Sequence, residues 1–125
     1  MSQKPRILIV EDDPRFQDIY RRYFQDCAEI SIVGNLHAAR TILHERQDFC
    51  LVILDGRVPC YEGEALRPCD TTVDLAYYIS HRYRIPMYAA SLDEKLNEQL
   101  VLMGAHPTTK TTVAKMVKEF LLSLP

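Results

Sequence analysis

The sequence predicts a three-layer α/β fold for residues 1–125, read as a single domain with helices on both faces of a parallel sheet. Two kinds of segment alternate along the chain: short continuous runs of apolar, β-branched residues, and longer segments whose apolar residues recur at helical spacing. Continuous apolar runs are typical of parallel strands that are buried on both faces. Five such runs alternate with five helical segments, and this pattern indicates helices packed on both sides of one sheet.

The strands are predicted over residues 6–10, 30–33, 50–54, 87–90 and 106–109. The first (RILIV) and third (CLVIL) carry the clearest pattern, and the last is predicted mainly from its place in the alternation. The helical stripes are, in order, Phe16, Ile19, Tyr20 and Tyr23; Leu36, Ala39, Ile42 and Leu43; Val73, Ala76, Tyr77 and Ser80; the segment 92–103; and Val113, Met116, Val117, Phe120, Leu121 and Leu124. Thr71 and Asp74 have the spacing of a capping box for the third helix.

Composition narrows the class of protein. Hydrophobic residues make up 47% of 125 residues, which is enough to form one core, and the formal net charge is -2. The sequence has no basic tract of the kind that binds nucleic acid or an anionic membrane. It also has no apolar run long enough to span a bilayer. The polar start does not resemble a signal peptide, so the four cysteines are expected to be reduced and the protein cytoplasmic.

Acidic residues follow the first and third predicted strands. Glu11, Asp12 and Asp13 come directly after the first, and Asp55 comes directly after the third. Ligands bind at the carboxyl ends of strands in such sheets, so these carboxylates are expected to share one pocket. Clustered carboxylates repel one another unless a cation neutralises them, and hard oxygen ligands suit Mg²⁺. The alternative is that Asp12 and Asp13 cap the next helix, which we favour for Asp13 alone.

Asp55 is the candidate nucleophile, because a carboxylate can attack phosphorus and form an acyl phosphate. Such a reaction needs groups that hold the phosphoryl oxygens, and Ser91 and Lys110 follow the fourth and fifth strands at the same edge of the sheet. The alternatives are that Ser91 is a helix N-cap and that Lys110 is a solvated surface lysine.

The segments ILIVEDDP (7–14) and LVILDGRVPCYEG (51–63) resemble the response-regulator receiver family. In that family an acidic pair follows strand one and the phosphoacceptor aspartate begins a D-x-x-x-P-x-x-x-G pattern, which here is Asp55, Pro59 and Gly63. Ser91 and Lys110 match the hydroxyl and lysine positions. The resemblance covers the whole chain and implies a flavodoxin-like doubly wound fold, a five-stranded parallel sheet in the order 2-1-3-4-5 with five helices.

The resemblance also implies roles and partners. Glu11, Asp12, Asp55 and the backbone carbonyl of Arg57 would bind Mg²⁺ (or Mn²⁺), and Ser91 and Lys110 would contact the phosphoryl group on Asp55. The donor would be a phosphohistidine on a sensor histidine kinase or a phosphotransfer protein. The output would be contact with a downstream protein target or a phosphorylation-dependent homodimer, without direct binding of nucleic acid or membrane.

The sequence departs from the family pattern at four places. The stretch 63–86 is longer than usual and contains Pro68, so the third helix is expected to start late. The stretch 91–110 is shorter than usual, Thr111 stands where the family has proline, and Pro107 and Thr108 occupy the region of the switch aromatic.

The sequence is compatible with three functions. The leading hypothesis is a phosphorylatable receiver domain, either free-standing or part of a longer regulator, that is not a turnover enzyme. The second is a receiver-like binding module that works without phosphorylation, which the missing aromatic favours. The third, a phosphatase of the haloacid-dehalogenase type, is disfavoured because the second aspartate of that motif is replaced by Arg57.

Overall fold

The computed structural model describes residues 4–124, and within that range five strands alternate with five α-helices. The elements are β1 (Arg6–Val10), α1 (Pro14–Phe24), β2 (Glu29–Val33), α2 (Leu36–Glu45), β3 (Phe49–Leu54), α3 (Val73–Tyr78), β4 (Met87–Ala89), α4 (Glu94–Leu102), β5 (His106–Pro107) and α5 (Val113–Ser123). A π-helical turn over Ile79–Tyr83 extends α3. The helices of this part of the chain are all too short or too polar to cross a membrane.

The strands form one parallel sheet in the order β2-β1-β3-β4-β5. The predicted flavodoxin-like architecture is therefore confirmed. β1 lies between β2 and β3, where Ile9 is in register with Ile32 on one side and with Ile53 on the other. The strand order reverses between β1 and β3, and ligands bind at such a switch point in open α/β sheets. The carboxyl ends of β1 and β3 are thus the expected location of a site.

Each central strand contributes to two separate cores, because successive side chains point to opposite faces of a sheet. Leu8 and Leu54 pack on the face that α2, α3 and α4 cover, whereas Ile9 and Ile53 pack on the face that α1 and α5 cover. All four side chains are buried. Burial on both faces explains why β1 and β3 are continuous apolar runs in the sequence.

The buried faces of α1 and α5 are narrower than the predicted stripes. In α1, Tyr20 and Phe24 are buried while Ile19 is half exposed. In α5, the small residue Ala114 is buried while Met116 is 40% exposed. A helix that lies on a sheet contacts it along one line, so apolar residues at the margins of the stripe remain in solvent.

The third helix begins late, as expected, but its predicted capping box is wrong. The N-cap is Thr72 rather than Thr71, and no side chain caps the helix. The predicted buried face is also partly wrong, since Leu75 is buried while Tyr77 is 55% exposed. A regular helix of only six residues offers too few turns for a stripe to define its buried face.

The fourth helix and the fifth strand are shorter than predicted. The helix begins at Glu94 because the carboxylate of Asp93 accepts hydrogen bonds from the first amides of α4. The strand contains two residues rather than four. The Thr108 amide still donates a hydrogen bond to the Ala89 carbonyl (3.0 Å), but the regular strand ends at Pro107.

A loop over residues 55–72 connects β3 to α3, and Asp70 lies near its end. The Asp70 carboxylate is 2% exposed. It accepts hydrogen bonds from the Arg67 amide (2.8 Å), the Arg67 guanidinium (3.2 Å) and the Cys60 thiol (3.3 Å). The guanidinium holds the pKa of Asp70 below its usual range. One buried carboxylate thus holds together the segments of the loop around Cys60 and Arg67.

Replacing Asp70 with Asn should lower the midpoint of thermal unfolding at pH 7. The pKa of Asp70 is lower in the folded than in the unfolded chain, so its stabilisation is complete above about pH 4 and is lost as the pH falls through the folded pKa. The difference from the parent should therefore shrink below about pH 4. The exposed Asp26→Asn change is the matched control. Equal midpoints for the parent and D70N at pH 7 would contradict this role.

Candidate functional site

Three carboxylates meet at the carboxyl ends of the two central strands. Glu11 and Asp12 follow β1, Asp55 follows β3, and one oxygen of each lies within 4.8 Å of the others. Backbone hydrogen bonds continue the sheet at these positions: the Glu11 amide donates to Val33 (2.9 Å), and the Asp55 amide donates to Val10 (3.0 Å). The structure therefore brings together the three carboxylates that the sequence predicted at one edge of the sheet.

Burial makes this concentration of negative charge unfavourable. Glu11 is 1% exposed. Burial raises the pKa of Glu11, and the charge of Asp55 raises it further, while Lys110 opposes both effects. Burial also raises the pKa of Asp12. The raised pKa values of Glu11 and Asp12 indicate that an added cation would stabilise the charged forms of these two carboxylates.

Lys110 extends into the cluster from the turn before α5. Its side chain is only 4% exposed, and its ammonium pairs with the Glu11 carboxylate and lies 3.3 Å from Oδ1 of Asp55. The ammonium also lies 4.2 Å from the centre of the Phe16 ring, a distance typical of a cation–π contact. The alternative of a solvated surface lysine is therefore wrong.

Asp13 belongs to α1 rather than to the cluster. Its carboxylate accepts a hydrogen bond from the Arg15 amide (2.9 Å) and caps the helix. The Arg15 guanidinium lowers the pKa of Asp13 to about 2. The two acidic neighbours thus differ as expected: Asp13 is the cap, and Asp12 joins the cluster.

Ser91 follows β4 and approaches the loop that carries Asp55. A Cβ atom at Gly56 would lie 2.4 Å from Oγ of Ser91, so only glycine fits at this point without a rearrangement. The Ser91 hydroxyl accepts a hydrogen bond from the Asp93 amide (3.1 Å). The N-cap of α4 is Asp93, so the capping alternative for Ser91 is wrong.

The Arg57 side chain crosses the mouth of the site. Its guanidinium donates a hydrogen bond to the Pro68 carbonyl, and it lies 3.4 Å from the Asp93 carboxylate. These contacts link the loop after β3 to the start of α4. The resemblance to the receiver family implies that the Arg57 carbonyl is a metal ligand, and that role stays a prediction.

The cluster opens into a cavity of about 480 Å³. Its lining combines the carboxylates, Ser91 and Lys110 with the apolar side chains Phe16, Leu66 and Leu92. The Asp55 side chain is 13% exposed, so one face of the carboxylate is accessible from this cavity. The arrangement can therefore admit a small anion or a side chain of another protein.

The sequence analysis missed two residues that hold this site in place. The Asn97 side chain accepts a hydrogen bond from the Ser91 amide (2.8 Å) and donates one to the Thr108 carbonyl (2.8 Å), which joins the ends of β4 and β5. Thr72 donates a hydrogen bond from its hydroxyl to the backbone carbonyl of Asp55. Both contacts depend on how loops fold in space, and no periodicity or spacing in the sequence signals them.

Comparison with solved structures identifies the fold, whereas comparison of the sequence with known proteins finds no match. No protein-family model matches the chain, and no curated protein matches it either. Among solved structures, a signal receiver domain from Vibrio parahaemolyticus is 23% identical with a TM-score of 0.73, covering 96% of this chain and 88% of that one.

Two further structures agree. A response regulator receiver protein from Pseudomonas putida is 17% identical with a TM-score of 0.76, and the alignment covers 99% of this chain and 100% of that one. The non-phosphorylated receiver domain of a stress response regulator from Escherichia coli is 12% identical with a TM-score of 0.75, with coverages of 97% and 92%. The chain therefore has the fold of the response-regulator receiver domains, which its sequence motifs resemble.

Proposed function

We propose that this chain is a two-component receiver domain that accepts a phosphoryl group on Asp55 in a Mg²⁺-dependent reaction. The observation that carries the proposal is the cluster at the sheet edge: three carboxylates with oxygens within 4.8 Å of one another, two of them paired with a buried lysine. Such a cluster lowers the stability of the fold when no cation is bound, because like charges in a buried site repel one another. A site that binds a cation and a phosphoryl group accounts for it.

The donor set fits Mg²⁺ or Mn²⁺. Glu11, Asp12 and Asp55 offer hard carboxylate oxygens, and the Arg57 carbonyl is proposed as the remaining protein ligand. One lysine does not neutralise three carboxylates, so the site retains negative charge for a divalent cation. When bound, the ion would supply positive charge that offsets repulsion between the carboxylates and the incoming phosphoryl oxygens.

In the proposed transfer, Asp55 takes the phosphoryl group from a phosphohistidine. An oxygen of Asp55 attacks the phosphorus of a phosphohistidine, the P–N bond breaks, and its electron pair returns to the imidazole of the donor, which takes up a proton. The Ser91 hydroxyl donates a hydrogen bond to a phosphoryl oxygen, and the Lys110 ammonium pairs with another. Water later attacks the phosphorus, the bond between phosphorus and the Asp55 oxygen breaks, and inorganic phosphate leaves while the Asp55 carboxylate is restored. In this proposal the phosphorylated form is a signal, and the chain is not a turnover enzyme.

This proposal places the protein in the cytoplasm, downstream of a sensor histidine kinase or a phosphotransfer protein. It would signal by contact with a downstream protein or by a phosphorylation-dependent homodimer, without direct binding of nucleic acid or membrane.

Intact-protein mass after incubation with acetyl phosphate and Mg²⁺ tests the proposal. We expect the parent to gain one phosphoryl group, and we expect chelation of Mg²⁺ or the Asp55→Asn change to abolish the gain. Isothermal titration with Mg²⁺ alone provides a second readout. A folded parent that gains no phosphoryl group from acetyl phosphate or from a phosphohistidine donor, and that binds no Mg²⁺, would falsify the proposal.

One observation favours a second candidate, a receiver-like binding module that works without phosphorylation. Thr108 is buried, and its hydroxyl donates to the Ala89 carbonyl (2.7 Å), while Asn97 ties the Thr108 carbonyl to Ser91. These polar bonds occupy the region where the sequence lacks the switch aromatic, and they hold β4 and β5 together. Specific binding of a partner protein that is equally tight for the parent and for Asp55→Asn would select this candidate.

A further inference from the structure

Thr72 makes two hydrogen bonds to consecutive peptide groups of the proposed phosphoacceptor loop. Its hydroxyl donates to the carbonyl of Asp55 (2.6 Å), and its amide donates to the carbonyl of Gly56 (3.0 Å). The residue is completely buried. The start of α3 is thereby attached to the peptide that follows Asp55.

The Thr72 hydroxyl does not serve its own helix. A threonine at an N-cap ordinarily accepts a hydrogen bond from an amide of the first turn, but Thr72 makes no such side-chain bond. Its hydroxyl instead bridges 17 residues of sequence to Asp55. Within residues 4–124, it is the only group that donates a hydrogen bond to the Asp55 carbonyl.

The peptide plane between Asp55 and Gly56 transmits this contact to the carboxylate. One end of the plane is the Asp55 carbonyl, which Thr72 holds, and the other end is the Gly56 amide, which donates to Oδ1 of Asp55 (2.7 Å). A peptide group is rigid, so fixing its carbonyl also fixes the direction of its N–H. The same carboxylate oxygen lies 3.3 Å from Lys110.

Glycine makes this restraint necessary. The approach of Ser91 excludes a side chain at position 56, and glycine leaves the backbone free to rotate. We propose that Thr72 is a positioning residue that holds the Asp55–Gly56 peptide, and through it the Asp55 carboxylate, in the orientation required for phosphoryl acceptance. This inference rests on the proposed function of Asp55.

Thr72→Val removes the donor at nearly constant shape, and Thr72→Ser retains it. We expect Thr72→Val to slow phosphorylation by acetyl phosphate about tenfold, because small misplacement of a reacting group reduces rates strongly. Hydrogen exchange at the Gly56 amide, measured by NMR, should become faster by a similar factor. Thr72→Ser should stay within about twofold of the parent in both readouts. Thr71→Val, one residue away, is the matched control.

A comparison of Thr72→Ser with Thr72→Ala provides the same test if Thr72→Val does not fold, since these variants differ by the hydroxyl alone. Unchanged phosphorylation and unchanged Gly56 exchange in the variant without the donor would overturn the inference while leaving Asp55 as the acceptor. Absence of phosphoryl gain in the parent counts against the proposed function, and Gly56 exchange then still decides whether Thr72 holds this peptide.

Discussion

Lys110→Met should lower the free energy of unfolding by about 3 kcal/mol at pH 7 in the presence of a chelator. The ammonium is buried against the carboxylates of Glu11 and Asp55, and removal of one member of a buried ion pair typically costs about 3–5 kcal/mol. We expect the lower end of that range, because burial already raises the pKa of Glu11 and the carboxyl can take up a proton. Urea denaturation measures the change.

Two comparisons separate this effect from a general loss of positive charge. Lys115→Met changes an exposed lysine of α5 and should leave stability within about 0.5 kcal/mol of the parent. Mg²⁺ should restore part of the stability of Lys110→Met, because the ion supplies the charge that the variant lacks. Equal stability of the two lysine variants would mean that Lys110 does not neutralise the cluster.

Asp55→Asn should abolish phosphoryl acceptance. In chelator at about pH 9, where Glu11 with its pKa of about 7 is ionised, it should also raise the free energy of unfolding by about 1 kcal/mol. At an effective dielectric constant of about 20, the attraction between Asp55 and Lys110 at 3.3 Å amounts to about 5 kcal/mol. Repulsion from Glu11 and Asp12, each with one oxygen within 4.8 Å of an Asp55 oxygen, amounts to about 3.5 kcal/mol for each carboxylate when it is fully charged. The summed repulsion exceeds the attraction, so loss of the charge is favourable.

Excess Mg²⁺ should reverse the order of stability. The parent gains stability in proportion to the logarithm of the ion concentration relative to its dissociation constant, and the variant, which lacks one ligand, gains less. Chemical denaturation in chelator and in Mg²⁺ tests both signs, with Asp26→Asn as the control for a simple charge change. A variant less stable than the parent in chelator would show that Asp55 is stabilised rather than repelled in the ion-free protein.

The sequence predicted the strands and the position of the carboxylates because these depend on local patterns, whereas the order of the strands came from the resemblance to the receiver family. Continuous apolar runs identify strands buried on both faces, and Glu11 and Asp55 directly follow two such runs. The rule that sites form at the carboxyl ends of parallel strands then places these side chains together.

The remaining features depend on contacts between distant loops, which local patterns do not encode. The spacing of Thr71 and Asp74 suggested a capping box, yet the neighbouring Thr72 is the N-cap, and its hydroxyl donates a hydrogen bond to the backbone carbonyl of Asp55. Asn97 lies on the predicted fourth helix, and only the folded structure shows that its amide joins Ser91 to Thr108. Burial of Lys110 likewise follows from the path of the turn before α5 rather than from its neighbours in sequence.

The short outer strand β5 has a consequence for self-association. It contains two residues, its free side faces away from β4, and Pro107 lacks the amide hydrogen that an added strand would need. Edge strands that are short and contain proline resist pairing with another chain. Extension of the sheet beyond β5 by a second copy of the protein is therefore disfavoured, and a homodimer formed on that side would be built from side chains of the adjacent helices.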